Sequence, residues 1–305
     1  MFVTQALKPN NEFWRYILGS VVIILASLIG QIPLGIAITI KSLNSNGDLT
    51  DKRSVESAMT SLEPNLLLFL MLLSFVFAMI GIYLVVKYFH QQSFLSVTTG
   101  RKKLDWHRIL FSFGLWALVT VITTLITYYT SPENFEFNFK PIPFAILAMI
   151  AIVMIPIQTS TEEYVFRGYL MQGFAVLAKN RWFPLLMTSL IFGGMHFFNP
   201  EVAKMGKIIM IYYIGTGLFL GILTLMDDGL ELSLGFHAAN NLISALLVTS
   251  DWSAFQTHSV LKDVAEPTAG IDVILPVVII FPILLFIFSK KYKWTNWKEK
   301  LTGKL

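Results

Sequence analysis

Eight separate apolar runs, each close to the roughly 20 residues needed to cross a bilayer, leave this chain little choice of environment. They fall at 16–40, 65–87, 109–129, 142–157, 182–198, 208–226, 234–249 and 271–289. With 55% hydrophobic and only 14% charged residues, and a mean hydropathy of +0.65, a soluble two-domain enzyme is excluded. The expected fold is an all-α polytopic membrane helix bundle of about eight transmembrane helices. The first run is too long for a cleavable signal peptide, lacks a small-residue cleavage site and leads into seven more, so it is expected to be retained. The longest polar connections are 41–64 and 250–270, and no tandem repeat or low-complexity tract interrupts the pattern.

The positive charge is unevenly spread. If both termini are cytoplasmic, that side carries 15 Lys and Arg residues and the other side seven, and the positive-inside rule selects this orientation. Lys293-Trp294 to Trp297-Lys298 reads as an interfacial anchor. The Arg101-Lys102-Lys103 run and the basic tail are explained by anionic lipid, so no nucleic-acid partner is expected. There is no cysteine, which removes disulfides, thiolate metal sites and a cysteine nucleophile together.

Ionisable groups at membrane depth are costly and mark function by default. Here they begin at Thr161-Glu162-Glu163-Tyr164-Val165-Phe166-Arg167. On a helix Arg167 follows Glu163 by four residues, displaced about 40° around the axis, so the two can pair; Glu162 is offset by about 100° and points elsewhere. One carboxylate is thereby satisfied and the other left free. Alone, this pattern also fits two interfacial glutamates balanced by lysines.

The later runs add imidazoles and amides. His196 closes Phe192-Gly193-Gly194-Met195-His196, with Asn199-Pro200 stopping the helix one turn on. It lies nearly as far beyond the Lys179-Asn180-Arg181 turn as Glu162 lies before it, so an antiparallel hairpin places the two at one height. Gly193 and Gly194 remove bulk where another helix could approach. His237 and Asn241, four apart, share one face of the seventh run, and Asn240 flanks the same face. Their N–H donors could point at a developing oxyanion or serve as interhelical polar contacts. His90, His107 and His258 fall in loops or at boundaries and are assigned no role.

EExxxR at Glu162 to Arg167, FxxxH at Phe192 to His196 and HxxxN at His237 to Asn241, in this order on successive membrane segments, resemble the CAAX protease and bacteriocin-processing (CPBP, or Abi) family of intramembrane glutamic endopeptidases. Each motif is short; the three in order are specific. The resemblance implies a catalytic core over 141–250, with spans lacking a recognised motif over 1–140 and a last span with a basic tail over 251–305. It further implies a hydrolase of peptide bonds in a bacterial plasma membrane. Glu162 would be the catalytic carboxylate, Glu163 with Arg167 a supporting pair, His196 a second water-positioning group, and His237 with Asn241 the oxyanion side. The partners would be the bilayer and a peptide or membrane-anchored protein: a prenylated CAAX tail, a bacteriocin or a signalling peptide.

One difficulty is that burial raises a carboxylate's pKa and makes it a poorer base. A water-filled cavity or a partly charged His196 would offset this. No cofactor is expected. The alternatives are a zinc protease using Glu162, His196 and His237 as ligands, and a non-enzymatic transporter or immunity scaffold using the same polar cluster. Against zinc stands the absence of HExxH, and against a transporter the absence of internal repeats.

Overall fold

A computed structural model describes residues 2–7, 11–44, 57–267 and 270–305. Residues 45–56 of the polar connection 41–64 therefore lie outside the described residues. Helices form on all eight apolar runs, and six are long and apolar enough to cross a membrane among the described residues. These are α1 (Phe13–Asn44), α2 (Pro64–Leu84, prolonged by a π turn at Val85–Phe89), α3 (Trp106–Thr130), α4 (Pro141–Glu163), α8 (Met210–Asp227) and a last span. That last span joins α10 (Ile271–Leu275) through a π turn (Pro276–Ile280) to α11 (Phe281–Tyr292). α4 continues through a seven-residue π turn (Tyr164–Leu170) into α5 (Met171–Ala178).

The two runs that fall short of the membrane-length criterion are the two that carry the histidines. α6 (Trp182–Met195) has 14 residues, because Asn199-Pro200 forces a break before α7 (Pro200–Met205). α9 (Glu231–Leu247) has 17, and most of its residues are buried among other helices rather than facing lipid. A helix walled off from lipid is released from the hydropathy a lipid-facing span needs, and α9 carries His237, Asn240 and Asn241 for that reason.

Apolar side chains gain little by leaving lipid for protein, so close packing must hold the helices together. Gly30 of α1 permits this against α2, since a Cβ there would lie 2.7 Å from the Ser74 Cα. Around α9 the core is aromatic. Trp116 of α3 packs on Phe236 at 4.4 Å between centroids, and Phe219 of α8 stacks on Phe281 of α11 at 4.5 Å. Gly235 brings α9 onto the α3 backbone, where any Cβ would overlap the Ile109 carbonyl.

Both chain ends meet at one end of the bundle. The Phe2 amide donates to Asp228 Oδ1 at 2.7 Å and the Leu305 amide to the Lys179 carbonyl at 3.0 Å. A knot of charges sits there: Arg101 pairs with Asp227 and Glu231 at 3.0 Å each, and Arg108 pairs with Asp105 and Asp227. Trp294 is folded into this knot, 8% exposed and donating to Asp227 Oδ1. Trp297, starting α12 (Trp297–Thr302), keeps more exposure.

The opposite end holds a small sheet that periodicity did not signal. β1 (Phe135–Phe137), β2 (Val248–Ser250) and β3 (Leu261–Asp263) are ordered β1-β3-β2, with β1 antiparallel and β2 parallel to β3. Three-residue strands are too short to show an alternating pattern.

Candidate active site

The glutamate pair sits where α4 passes into its π turn, an irregularity frequent at functional sites. Arg167 Nη1 donates to Glu163 Oε1 at 2.9 Å, as the four-residue spacing allows, and both side chains have no exposure at all. Arg167 Nη2 donates to the Gly217 carbonyl of α8 at 3.2 Å, and its guanidinium lies 4.3 Å from the Phe192 ring centroid. His237 Nδ1 bonds the same Glu163 Oε1 at 2.8 Å. Since a carboxylate only accepts, this nitrogen carries the hydrogen.

Glu162 is placed differently. Its side chain keeps 16% exposure, Oε1 accepts from Gln158 Nε2 at 2.7 Å, and Oε2 faces His237 Nε2 at 3.5 Å. With Nδ1–H committed to Glu163, Nε2 and Oε2 would oppose lone pair to lone pair unless one hydrogen lies between them. That edge is where a proton can be exchanged.

His196 ends α6, with its Nδ1 2.7 Å from the Phe192 carbonyl. A carbonyl accepts, so Nδ1 holds the hydrogen and Nε2 presents a lone pair. Tyr213 of α8 stacks on the ring at 4.5 Å and 25°. Phe166 meets Phe192 at 5.3 Å across the hairpin whose two arms carry Glu162 and His196. No hydrogen bond joins them directly among the described residues. Phe192 is the shared neighbour, 4.8 Å from the His196 ring and 6.0 Å from that of His237. Of the two glycines, only Gly193 meets a helix: a Cβ would overlap Ile214 of α8, whereas Gly194 faces open space.

Asn240 and Asn241 divide as follows. Asn241 Nδ2 donates to Gln158 Oε1 at 3.1 Å, which ties it to Glu162 through one side chain. Asn240 turns toward α3, accepting from Trp116 Nε1 at 3.0 Å, and donates to Asn241 Oδ1 at 3.0 Å. Gln158 and Trp116 escaped the sequence reading. Gln158 had a legible signal, standing four residues before Glu162 on the same helix face; Trp116 had none, because an indole in an apolar run reads as packing. His90 is buried between Asn11 and Tyr169, at 2.9 Å from each, away from this cluster. Among the described residues no three His, Asp or Glu side chains converge as a metal site.

Residues 141–243 match the family described as type II CAAX prenyl endopeptidase Rce1-like, a stretch running from the start of α4 into α9 that holds every side chain of the cluster except Trp116. The chain is also 31% identical over 252 residues to the uncharacterized protein YyaK of Bacillus subtilis (strain 168), covering 82% of this chain and 83% of that protein. No solved structure matches. The chain belongs to the Rce1-like CAAX protease (CPBP) family, and is thus an integral multi-pass membrane protein of a protease class.

Proposed function

We propose that this protein is an intramembrane endopeptidase in which Glu162, with His196, activates a water molecule without a covalent intermediate. The observation that carries the proposal is the unequal use of the two glutamates. Glu163 is fully buried and engaged by Arg167 and His237, while Glu162 keeps an accessible edge opposite an imidazole nitrogen. The water oxygen attacks the peptide carbonyl carbon as its proton passes to Glu162 Oε2, and the carbonyl electrons move onto oxygen. Asn241 has a second N–H to offer that oxyanion, and His237 offers Nε2 when that atom carries hydrogen. Collapse breaks the C–N bond, and the proton held at Glu162 leaves on the amine.

The substrate is a peptide or a membrane-anchored protein, with a prenylated CAAX tail, a bacteriocin or a signalling peptide as candidates. Both termini face the cytoplasm, because the end where they meet gathers Arg101, Arg108, Lys179, Arg181 and the C-terminal lysines. The orientation is tested by a single cysteine at Lys102 in this cysteine-free chain: external labelling in intact cells overturns it. Function is tested by quantitative proteomics of membranes carrying wild type or Glu162→Gln, where a precursor accumulates in the variant if the reading holds. On this mechanism thorough chelation leaves cleavage intact; loss of activity that zinc restores, with one bound equivalent by elemental analysis, identifies a metalloprotease instead.

A further inference from the structure

Glu162 is the last member of a chain of hydrogen bonds whose direction is fixed by its first. Trp116 Nε1 can only donate, so the Asn240 atom it meets at 3.0 Å is Oδ1. Asn240 must then present Nδ2 to Asn241 Oδ1 at 3.0 Å, and Asn241 must present Nδ2 to Gln158 Oε1 at 3.1 Å. Gln158 is left with Nε2 toward Glu162 Oε1, at 2.7 Å the shortest link of the chain. Amide oxygen and nitrogen are interchangeable in shape, yet a donor-only indole at the head removes the choice at every link. Three amides on two helices, α4 and α9, thus point their donors the same way, at a carboxylate.

The geometry points to Gln158 as a positioning residue for the proposed catalytic glutamate: through the directed chain Trp116–Asn240–Asn241–Gln158 it pins Oε1 of Glu162 as an acceptor and leaves Oε2 as the only edge for proton exchange. This rests on the glutamate mechanism proposed above and deepens it. Aligned amides polarise one another, so each donor strengthens the next. A charge-assisted bond to a carboxylate is stronger than a neutral one. The chain therefore offsets part of the penalty that low dielectric places on an ionised carboxylate, alongside the charge of Arg167. It also couples the proposed oxyanion donor Asn241 to the base through one side chain. The remaining titratable and charged groups around Glu162 are Glu163 and Arg167 on its own helix, His237 on α9, and His196 and Tyr213 where α6 meets α8. α2 carries no charged side chain between Pro64 and Val86.

The test is an infrared pH titration of the protein in lipid nanodiscs, with the Glu162 carboxyl band assigned by its loss in Glu162→Gln. Gln158→Leu keeps the volume and removes the last donor; its Glu162 midpoint should rise by about one to two pH units, the equivalent of one hydrogen bond to a charged group. Trp116→Phe acts three side chains away and should move the midpoint in the same direction by a smaller amount, which a local packing defect at Gln158 would not produce. Should Gln158→Leu fail to fold, Gln158→Met and Trp116→Phe carry the measurement. A midpoint unmoved in folded Gln158 variants overturns the inference, whatever the activity. In parallel, an internally quenched farnesylated CAAX peptide is offered to the wild type. If the peptide is cleaved and the acid limb of kcat/KM moves with the infrared midpoint, both readings stand. If the midpoint moves but wild type and Glu162→Gln cleave the peptide equally or not at all, the positioning stands and the glutamate mechanism is the part that fails on this substrate.

Discussion

The molecule contains two clusters of acids and bases, and they use their charges in opposite ways. At the end where the termini meet, Asp227 is bound by Arg101, Arg108 and Trp294, and Glu231 by Arg101. Arg101 also bonds the Asp227 carbonyl at 2.6 Å. Both of these carboxylates are buried, and every one of their oxygens has a partner or lies beside a guanidinium. Such a knot fastens the α8–α9 turn to the 101–108 segment and has no oxygen to spare. Midway along the bundle the same residue types leave a remainder: Glu163 takes up Arg167 and the Nδ1–H of His237, and Glu162 receives only an amide, with His237 Nε2 facing its other oxygen at 3.5 Å. A cluster with every partner assigned holds helices together. One that leaves an accessible carboxylate edge can do chemistry.

The comparison breaks most visibly at Glu162. Glu162→Gln should abolish cleavage, with the thermal midpoint in detergent within a degree or two of wild type, because size and polarity are kept. Cleavage by Glu162→Gln at the wild-type rate would show that the free edge is idle. Glu163→Gln should do the reverse of a clean knockout. Removing one partner of a buried pair strands Arg167 and costs about 3–5 kcal/mol, read as lost expression or a much lower midpoint. A stable, inactive Glu163→Gln beside an active Glu162→Gln would exchange the two roles. Asp227→Asn, in the other cluster, should lower the midpoint and leave kcat of the folded fraction unchanged. A specific loss of kcat there would mean that the knot reaches the site.

The helices were legible because membrane insertion writes long apolar runs, and the candidate site residues stood out because polar side chains within such runs are costly. The Glu163–Arg167 pair followed from a spacing of four residues. What escaped depends on tertiary direction. Nothing local told that α9 would stop short of membrane length, that Trp294 would turn inward onto Asp227, or that the 248–263 segment would pair with 135–137. Gln158 was overlooked for a chemical reason: an amide has no charge to announce it, and its importance arises from the neighbours at its two ends, Glu162 on its own helix and Asn241 on α9.

The two asparagines sharpen the same contrast within one helix. Relative to His237, Asn241 is turned about +40° and Asn240 about −60°, and the structure joins the first to Gln158 and the second to Trp116. Loss of a preorganised oxyanion donor typically costs about 10²- to 10³-fold in turnover. Asn241→Ala should therefore depress kcat far more than it changes KM, while Asn240→Ala should act mainly through stability. His237→Ala should resemble Asn241→Ala, and the double variant should lose less than the product of the two, as groups serving one oxyanion are not additive. An Asn241→Ala enzyme within about threefold of wild type, beside a folded but dead Asn240→Ala, moves the oxyanion contact by one residue.

The smallest expected effect lies at the rim of the charged knot and asks whether a peripheral member contributes at all. Asp105 caps α3, accepting from the His107 amide and from Arg108 Nε at 3.1 Å each. Slight burial pushes its carboxyl up, but the hydrogen bonds and charge of Arg108 outweigh this and hold it below the ordinary carboxylate range. A group whose folded value is depressed adds stability above its unfolded value and loses it as pH falls through the folded one. Asp105→Ala should thus remove about 1 kcal/mol of capping stability at neutral pH, a shift of a few degrees in the thermal midpoint, with activity unchanged. The gap between variant and wild type should close as the pH drops below about 4, near the unfolded value of an aspartate. A gap that stays constant from pH 7 to pH 3 would mean that Asp105 acts through shape alone, and the charged knot would then end at Arg108.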